Sequence, residues 1–419
     1  MRYCKRCLYP ANHPLHLTFD EEGICSGCRV HEEKDSLDWS GRAKKLESLL
    51  SNFRSDSKTT YDCIVPVSGA RDSYFIVHTL KKIYGMNPLL VTYNKQYNTK
   101  KGIQNLAYLR TLFDCDCLTM TVDPRTVKKL TRVTLREMAS MYWHCLAGQT
   151  VFPVRTAVQL KVPLIVWGVH QGCDQVGMFS HTDEVEMTRK YRKEHDLMGY
   201  EAEDLLDISN ELSKEEMTQF FYPHDKDVEK VGVRGIYLSN YIRWDSKRQH
   251  EEMIDLYGYE SAAQQRTFDT YNDVDCFHYS GTHDFIKYLK YGYGKVTDHA
   301  SREMRLKRLT RCDAIAKVKQ FQNLPPDDLP LFLRWLEMSE TEFMSYIDDK
   351  RDPQIWKQSG DGTWELKDSI CWESGDAMTK AAALTVSEDC QFVITKQRDN
   401  ALLEEKYMLF GKGFVHGSR

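Results

Sequence analysis

Residues 62–77 read DCIVPVSGARDSYFIV. Asp62 to Val67 is a short apolar strand. Ser73 to Tyr84 carries apolar residues at helical spacing (Phe75, Ile76, Leu80, Ile83) and stops at Gly85. Between them lies the turn Ser68-Gly69-Ala70-Arg71-Asp72-Ser73. A small-residue turn exposes backbone N–H groups, and the helix N-terminus adds partial positive charge, so the turn is an anion site. The Ser68 and Ser73 hydroxyls can donate to phosphate, and Arg71 supplies a cation. Asp72 orients the loop or binds Mg²⁺. The pattern is not the GxxxxGK[ST] loop of common NTPases. The competing reading is a helix cap by Ser68 or Asp72 with no ligand.

Outward from this turn, strands alternate with helices. Pro88 to Tyr93 reads as a second strand, Ile103 to Phe113 as a helix and Cys117 to Val122 as a third strand. Val151 to Leu160 is helical, and Val162 to Val169 is a buried strand. This alternation predicts an α/β fold with a doubly wound parallel sheet. A charged helix, Leu37 to Phe53, precedes it. From Asp183 the pattern turns helical and charged. Residues 222–311 are rich in Tyr, His, Asp and Gly and have the look of substrate-site sequence. Helices return at Arg311 to Phe321 and Leu331 to Met344. Residues 354–419 read as short strands and turns, among them Phe392 to Thr395. The expected division is a knuckle over 1–35, an α/β domain over 36–180, a mainly helical substrate-binding region over 181–350 and a C-terminal extension over 351–419.

Cys4-x2-Cys7 and Cys25-x2-Cys28 are separated by 17 residues. Two such knuckles can set four thiolates tetrahedrally around Zn²⁺. The expectation is a structural zinc held by Cys4, Cys7, Cys25 and Cys28, with His13, His16 and His31 as surface residues. The thirteen cysteines of this chain are not read as a disulfide framework, which belongs to small oxidised scaffolds.

At 41% hydrophobic and 28% charged residues, the 419-residue chain can bury real cores and is not a disordered polymer. A net charge of −4 argues against a nucleic-acid partner. No apolar leader and no run long enough to cross a bilayer are visible, so a cytoplasmic protein without membrane insertion is expected.

The turn resembles the Ser-Gly-Gly-Lys-Asp-Ser signature of PP-loop ATP pyrophosphatases, a HUP-like fold. The wider chain resembles the N-acetyl sugar amidotransferase family of O-antigen and flagellar sugar biosynthesis. The segments that carry this are WHC (143–145), PLIVWG (163–168), VGVRGIYLSNYIRWD (231–245), KYLKYGYG (287–294) and TDHASR (297–302). With the N-terminal cysteines, the resemblance covers residues 1–355. It implies an AMP-forming carbon–nitrogen ligase. ATP, with Mg²⁺, would adenylate the acetamido oxygen of a sugar, and ammonia would displace AMP to leave an acetamidine. The acceptor is a small-molecule acetamido sugar, free or nucleotide-linked. Ammonia would come from a glutaminase and cyclase-like partner pair, and no glutaminase signature is visible in this chain. Two departures stand out. Ala70 and Arg71 replace a glycine and a lysine, and Val169-His170-Gln171 replaces an acidic residue. Ala70 would be strained if its position required positive φ.

The expected ATP-binding set is Ser68, Gly69, Ala70, Arg71, Asp72, Ser73, Thr92, Tyr93, Asn94, Gly168, Arg302 and Arg305. Thr92 to Asn94 and Gly168 are included because ligands meet the carboxyl ends of such strands. Arg302, Arg305 and Arg308 are three apart, on one face of a predicted helix. Catalytic candidates are Asp72, Arg71, His283, Asp298 and His299, with Asp284 beside them. Substrate-binding candidates are Tyr237, Asn240, Tyr241, Trp244 and Cys145, the aromatics because they join flat apolar surface to polar tips. Two rival readings are a tRNA-modifying PP-loop enzyme of the thiolase type and a degenerate, non-catalytic subunit.

Overall fold

The computed structural model describes residues 1–57 and 60–373, so the expected strand at Phe392 to Thr395 lies outside the described residues. Five parallel strands form one sheet: β1 (Cys63–Pro66), β2 (Pro88–Tyr93), β3 (Cys117–Met120), β4 (Leu164–Trp167) and β5 (Arg234–Tyr237). Their order is β3-β2-β1-β4-β5. The chain winds outward from β1 to β3, then returns to the other side of β1 for β4. The doubly wound parallel sheet expected from the sequence is therefore present, and the reversal falls between β1 and β4.

Alternation of side chains puts the two faces of β1 into different cores. Ile64 points with Leu89, Val91 and Ile165 into a layer closed by Val154 and Ala157. Cys63 and Val65 point the other way, with Leu90, Val166 and Ile236, onto Leu46, Leu50, Tyr74 and Phe75. The first layer is covered by the helix Trp143–Leu160 and the second by the helices Trp39–Ser51 and Arg71–His78. Strands buried on both faces read as continuous apolar runs, which is why the sequence signalled them clearly.

Two expectations change. β5 comes from within the stretch expected to be mainly helical, because VRGIY is too short and too glycine-interrupted to stand out. The helix expected over Leu331 to Met344 is two helices, Leu329–Leu336 and Glu340–Asp348. Glu337 takes a left-handed conformation (φ 57°) that ends the first, and the Ser339 side chain accepts from the Glu342 amide to begin the second.

The C-terminal helices surround Arg266, which is fully buried with Asp284 at 2.9 Å. Its guanidinium also donates to the carbonyls of Gln322 and Leu324. Among the described residues no helix is long and apolar enough to cross a membrane. Removing one partner of a buried pair leaves an uncompensated charge. Arg266→Ala should therefore lower unfolding free energy by about 3–5 kcal/mol in a urea titration, and a loss under 1 kcal/mol would contradict this account.

Candidate active site

The turn after β1 keeps its form through one glycine. Gly69 sits at φ +80°, and a Cβ there would lie 2.5 Å from the Gly102 carbonyl oxygen. Ala70 has φ −86° and ψ 167°, ordinary extended backbone, so alanine is unstrained where the resemblance leads one to expect glycine. No side chain caps the helix that follows. Instead the Ser73 hydroxyl accepts from the Ser68 amide at 3.0 Å and folds the turn onto the helix start. The capping reading for Ser68 or Asp72 is thus not what the structure contains.

Two cavities flank the turn. The smaller, about 280 Å³, opens over the carboxyl ends of β1, β2 and β3, with Ser68, Thr92, Tyr93 and Asn94 on its wall. Lys95 and Asp275 add a buried ion pair there at 2.6 Å. The larger, about 360 Å³, lies at the β1/β4 reversal. Arg71 and Asp72 reach it from the turn, and Val169 and Gln171 from the end of β4. Its far walls come from the helices Thr282–Tyr291 and Lys295–Arg305 and from the N-terminal segment around Tyr9 and His13.

All five expected catalytic residues (Asp72, Arg71, His283, Asp298 and His299) line the larger cavity, as do Asp284, Arg302 and Arg305. Most of their charges are matched by partners of opposite sign. Arg71 is 3% exposed, pairs with Asp72 and donates to Asn272 at 3.0 Å. Lys287 holds Asp298 at 2.6 Å, and Lys295 holds Asp273 at 2.5 Å. Arg302 donates to Asp269 at 2.7 Å and to Glu303 at 2.8 Å.

Burial raises the Asp72 carboxyl above the usual range, against the pull of Arg71. Burial would raise Asp298 as well, but Lys287 outweighs it and the carboxyl ends lower than usual. Burial, with Lys295 and Lys287 facing it, pushes the His283 imidazole down to about 3. Burial takes His299 down to about 4, although Asp269 opposes the shift. Both rings are therefore neutral at pH 7 and resist protonation.

Other expected residues lie elsewhere. Tyr241, Trp244 and Asn240 are at most 3% exposed and line neither cavity. Trp244 packs edge-on against Phe75 in the sheet core, and Asn240 donates to the Val185 carbonyl. Tyr237, at the end of β5, packs on His170. Cys145 is fully buried beside His144, and burial pushes its thiol well up, so it is a packed, protonated thiol away from both cavities. These five were expected to meet substrate, yet aromatic and sulfur side chains serve a core equally well. Gly168 follows β4, facing Ile76 and Trp244, and leaves the wall to Val169. The helix that carries Arg302 ends at Arg305, so Arg308 leaves its face and pairs with Asp245 and Glu303.

Several wall residues escaped the sequence reading. Lys287 begins the KYLKYGYG segment and Lys295 follows it, and the segment's glycines turn the chain between two helices; that turn was the available signal. His13, expected at the surface, is 4% exposed and packs between Tyr9 and Tyr293. Nothing in the local sequence marks it.

The four cysteines form one cluster, with their sulfurs all within 4.8 Å of each other. Cys7 and Cys25 lie 3.6 Å apart and Cys4 and Cys28 4.0 Å. A tetrahedral zinc with bonds of about 2.3 Å requires sulfur separations of about 3.8 Å, so the donor set fits that ion.

Residues 265–370 match the family model described as the C-terminal domain of WbpG-like LPS biosynthesis proteins. A 120-residue stretch, 29% of this chain, is 24% identical to an uncharacterized protein of Methanocaldococcus jannaschii. That match spans 43% of the relative's length. Among solved structures, an NH3-dependent NAD synthetase from Campylobacter jejuni is 12% identical, with a TM-score of 0.27, over 46% of this chain and 92% of its own. An NMN synthetase from Francisella tularensis is 14% identical, with a TM-score of 0.26, over 52% and 94%.

Two outcomes follow from the geometry. Gly69→Ala should cost roughly 1–2 kcal/mol of stability from the left-handed backbone alone, before the crowding against Gly102, and chemical denaturation measures it. In NMR titrations the His283 and His299 imidazoles should stay neutral from pH 8 to about 5. A midpoint near 6.5 for either would remove it from the buried wall.

Proposed function

We propose, from the premise that residues 265–370 belong to the WbpG-like LPS biosynthesis C-terminal domain family, that this chain is an ATP-dependent amidotransferase acting on an acetamido sugar. The observation that carries this reading is the meeting of Arg71 and Asp72, from the phosphate-type turn, with Lys287, Lys295, His283, Asp298 and His299 in one cavity. The turn comes from the N-terminal half of the sequence and the others from the matched domain.

The division of labour follows from position and charge. The uncapped turn and Arg71 would hold the phosphates, with the adenosine over Thr92, Tyr93 and Asn94 in the smaller cavity. Asp72, Asp174 and Asp273 offer hard carboxylate oxygens suited to Mg²⁺. Lys295 and Arg302 would offset the charge that builds on the leaving pyrophosphate. The acetamido oxygen would displace it, and ammonia would then attack the activated carbon with loss of AMP. Neutral His283 can orient the acetamido group by hydrogen bonding, and the proton that the attacking nitrogen gives up can pass to solvent. The four cysteines would hold a zinc whose contribution is structural. Ammonia import from a glutaminase and cyclase-like partner pair and a cytoplasmic setting belong to the same reading. The relaxed φ at Ala70 removes one reason to regard the turn as degenerate.

The test is incubation with ATP, Mg²⁺, ammonium and a panel of acetamido sugars, followed by mass spectrometry. The product should be about 1 Da lighter, because NH replaces O, and should carry an amidinium able to pair with carboxylates. AMP and pyrophosphate should form only when sugar and ammonium are both present. Asp72→Ala and Arg71→Ala should each reduce AMP release by about 100-fold or more, as loss of a charge-stabilising group does, while zinc content stays unchanged. Normal turnover in either variant would refute the assignment.

A further inference from the structure

The cysteine knuckle does not stand apart from the larger cavity. Its loop supplies Tyr9, His13, Pro14 and Leu15 to the wall. The helix Ser26–Glu33 that begins beside Cys25 is fastened to the segment after β4. The Ser26 hydroxyl donates to the Val176 carbonyl at 2.6 Å, and Lys34 pairs with Asp174. Gly27 faces Arg305 and the Gln175 carbonyl so closely that any Cβ would collide with both.

Arg305 is the junction. Its side chain lines the cavity, yet the residue is only 8% exposed. One guanidinium nitrogen donates to the carbonyls of Asp174 at 3.1 Å and Gln175 at 2.7 Å. The other faces the sulfurs of Cys25 at 3.6 Å and Cys7 at 3.9 Å. Tyr9 covers the cation at 5.2 Å. Among the described residues no carboxylate stands at ion-pair distance from it. The sulfur cluster takes the place of a carboxylate, since four thiolates around one dication would keep a net negative charge. Emptied of metal, the four sulfurs would no longer be held in one place for the guanidinium to meet.

We propose that Arg305 is a positioning residue through which occupancy of the four-cysteine cluster sets the wall of the larger cavity. With metal bound, the thiolates fix the guanidinium, and the guanidinium fixes the backbone of residues 171–178, which carry Gln171, Asp174 and Gln175 into the cavity. Without metal, the cation is released and that segment loosens, while the sheet keeps its own cores. The cluster thus governs the site, beyond stabilising the N-terminus. This rests on the cluster holding a metal and on the cavity being the ligand site.

Hydrogen exchange on the full chain tests it without any ligand. Amides of Asp174, Gln175 and Met178 are hydrogen-bonded within their own segment at 3.0, 2.9 and 2.6 Å. Removing metal under reducing conditions should speed exchange across residues 171–178 at least tenfold. Residues 63–67 and 88–93 should be unchanged, and added zinc should reverse the effect. Arg305→Ala should do the same with zinc content intact, and Arg305→Lys, which keeps the cation but not its fork, should lie between. Unchanged exchange over 171–178 on metal removal would overturn the proposal. So would loosening that spreads equally to the sheet, which marks a purely structural metal, or a chain that binds no metal. If Arg305→Ala does not fold, the metal-removal arm on the native chain decides alone. A failure of AMP formation would sink the amidotransferase reading and leave the exchange result standing.

Discussion

The parallel pairing of β1 with β2 on one side and β4 on the other is the constraint on which the site depends. Because β1 is central, both of its edges are satisfied by neighbours and its turn cannot be covered by either. The connections leave in opposite directions, so helices that would otherwise meet over the strand ends part there. The crevice receives the uncapped helix start from one side and the Val169 to Gln175 segment from the other. Gly69 then tightens the turn against Gly102, an approach that any side chain would block.

Within the crevice, electrostatics are settled before any ligand arrives. Arg71, Lys287, Lys295 and Arg302 each face a carboxylate, and most of these groups are at least half buried. Such pairing holds cations in fixed places without a net repulsive field, and fixed charges cost little reorganisation when a polyanion changes during reaction. The histidines are kept neutral by the same burial and by the lysines around them. Arg305 departs from this pattern by facing sulfur in place of a carboxylate, which ties the N-terminal module to the cavity.

Much of the fold was legible from residues alone. β1, β2 and β4 are continuous apolar runs because both faces are buried, and the cysteine knuckles announce themselves by spacing. The turn was visible because its small residues follow a strand and precede a helix. Arg71 and Asp72 in the turn, Asp298 and His299 inside a family-like segment, and His283 in the Tyr- and His-rich stretch were marked as chemistry-bearing types, and they converge. Other placements were not legible. Tyr241, Trp244 and Cys145 have side chains that suit a core as well as a ligand, and only three-dimensional packing separates the two uses. β5 was missed because four residues with an internal glycine give almost no periodic signal.

The sequence by itself determined the strand–turn–helix unit, the alternation that winds the sheet and the four-sulfur donor set. Each of these depends on neighbours close along the chain. Tertiary structure decided which distant groups face one another: Lys295 with Asp273, His13 between two tyrosines, and Arg305 against sulfurs more than 270 residues away. Burial and charge compensation act through space, so a side chain's role is fixed by what the fold brings beside it.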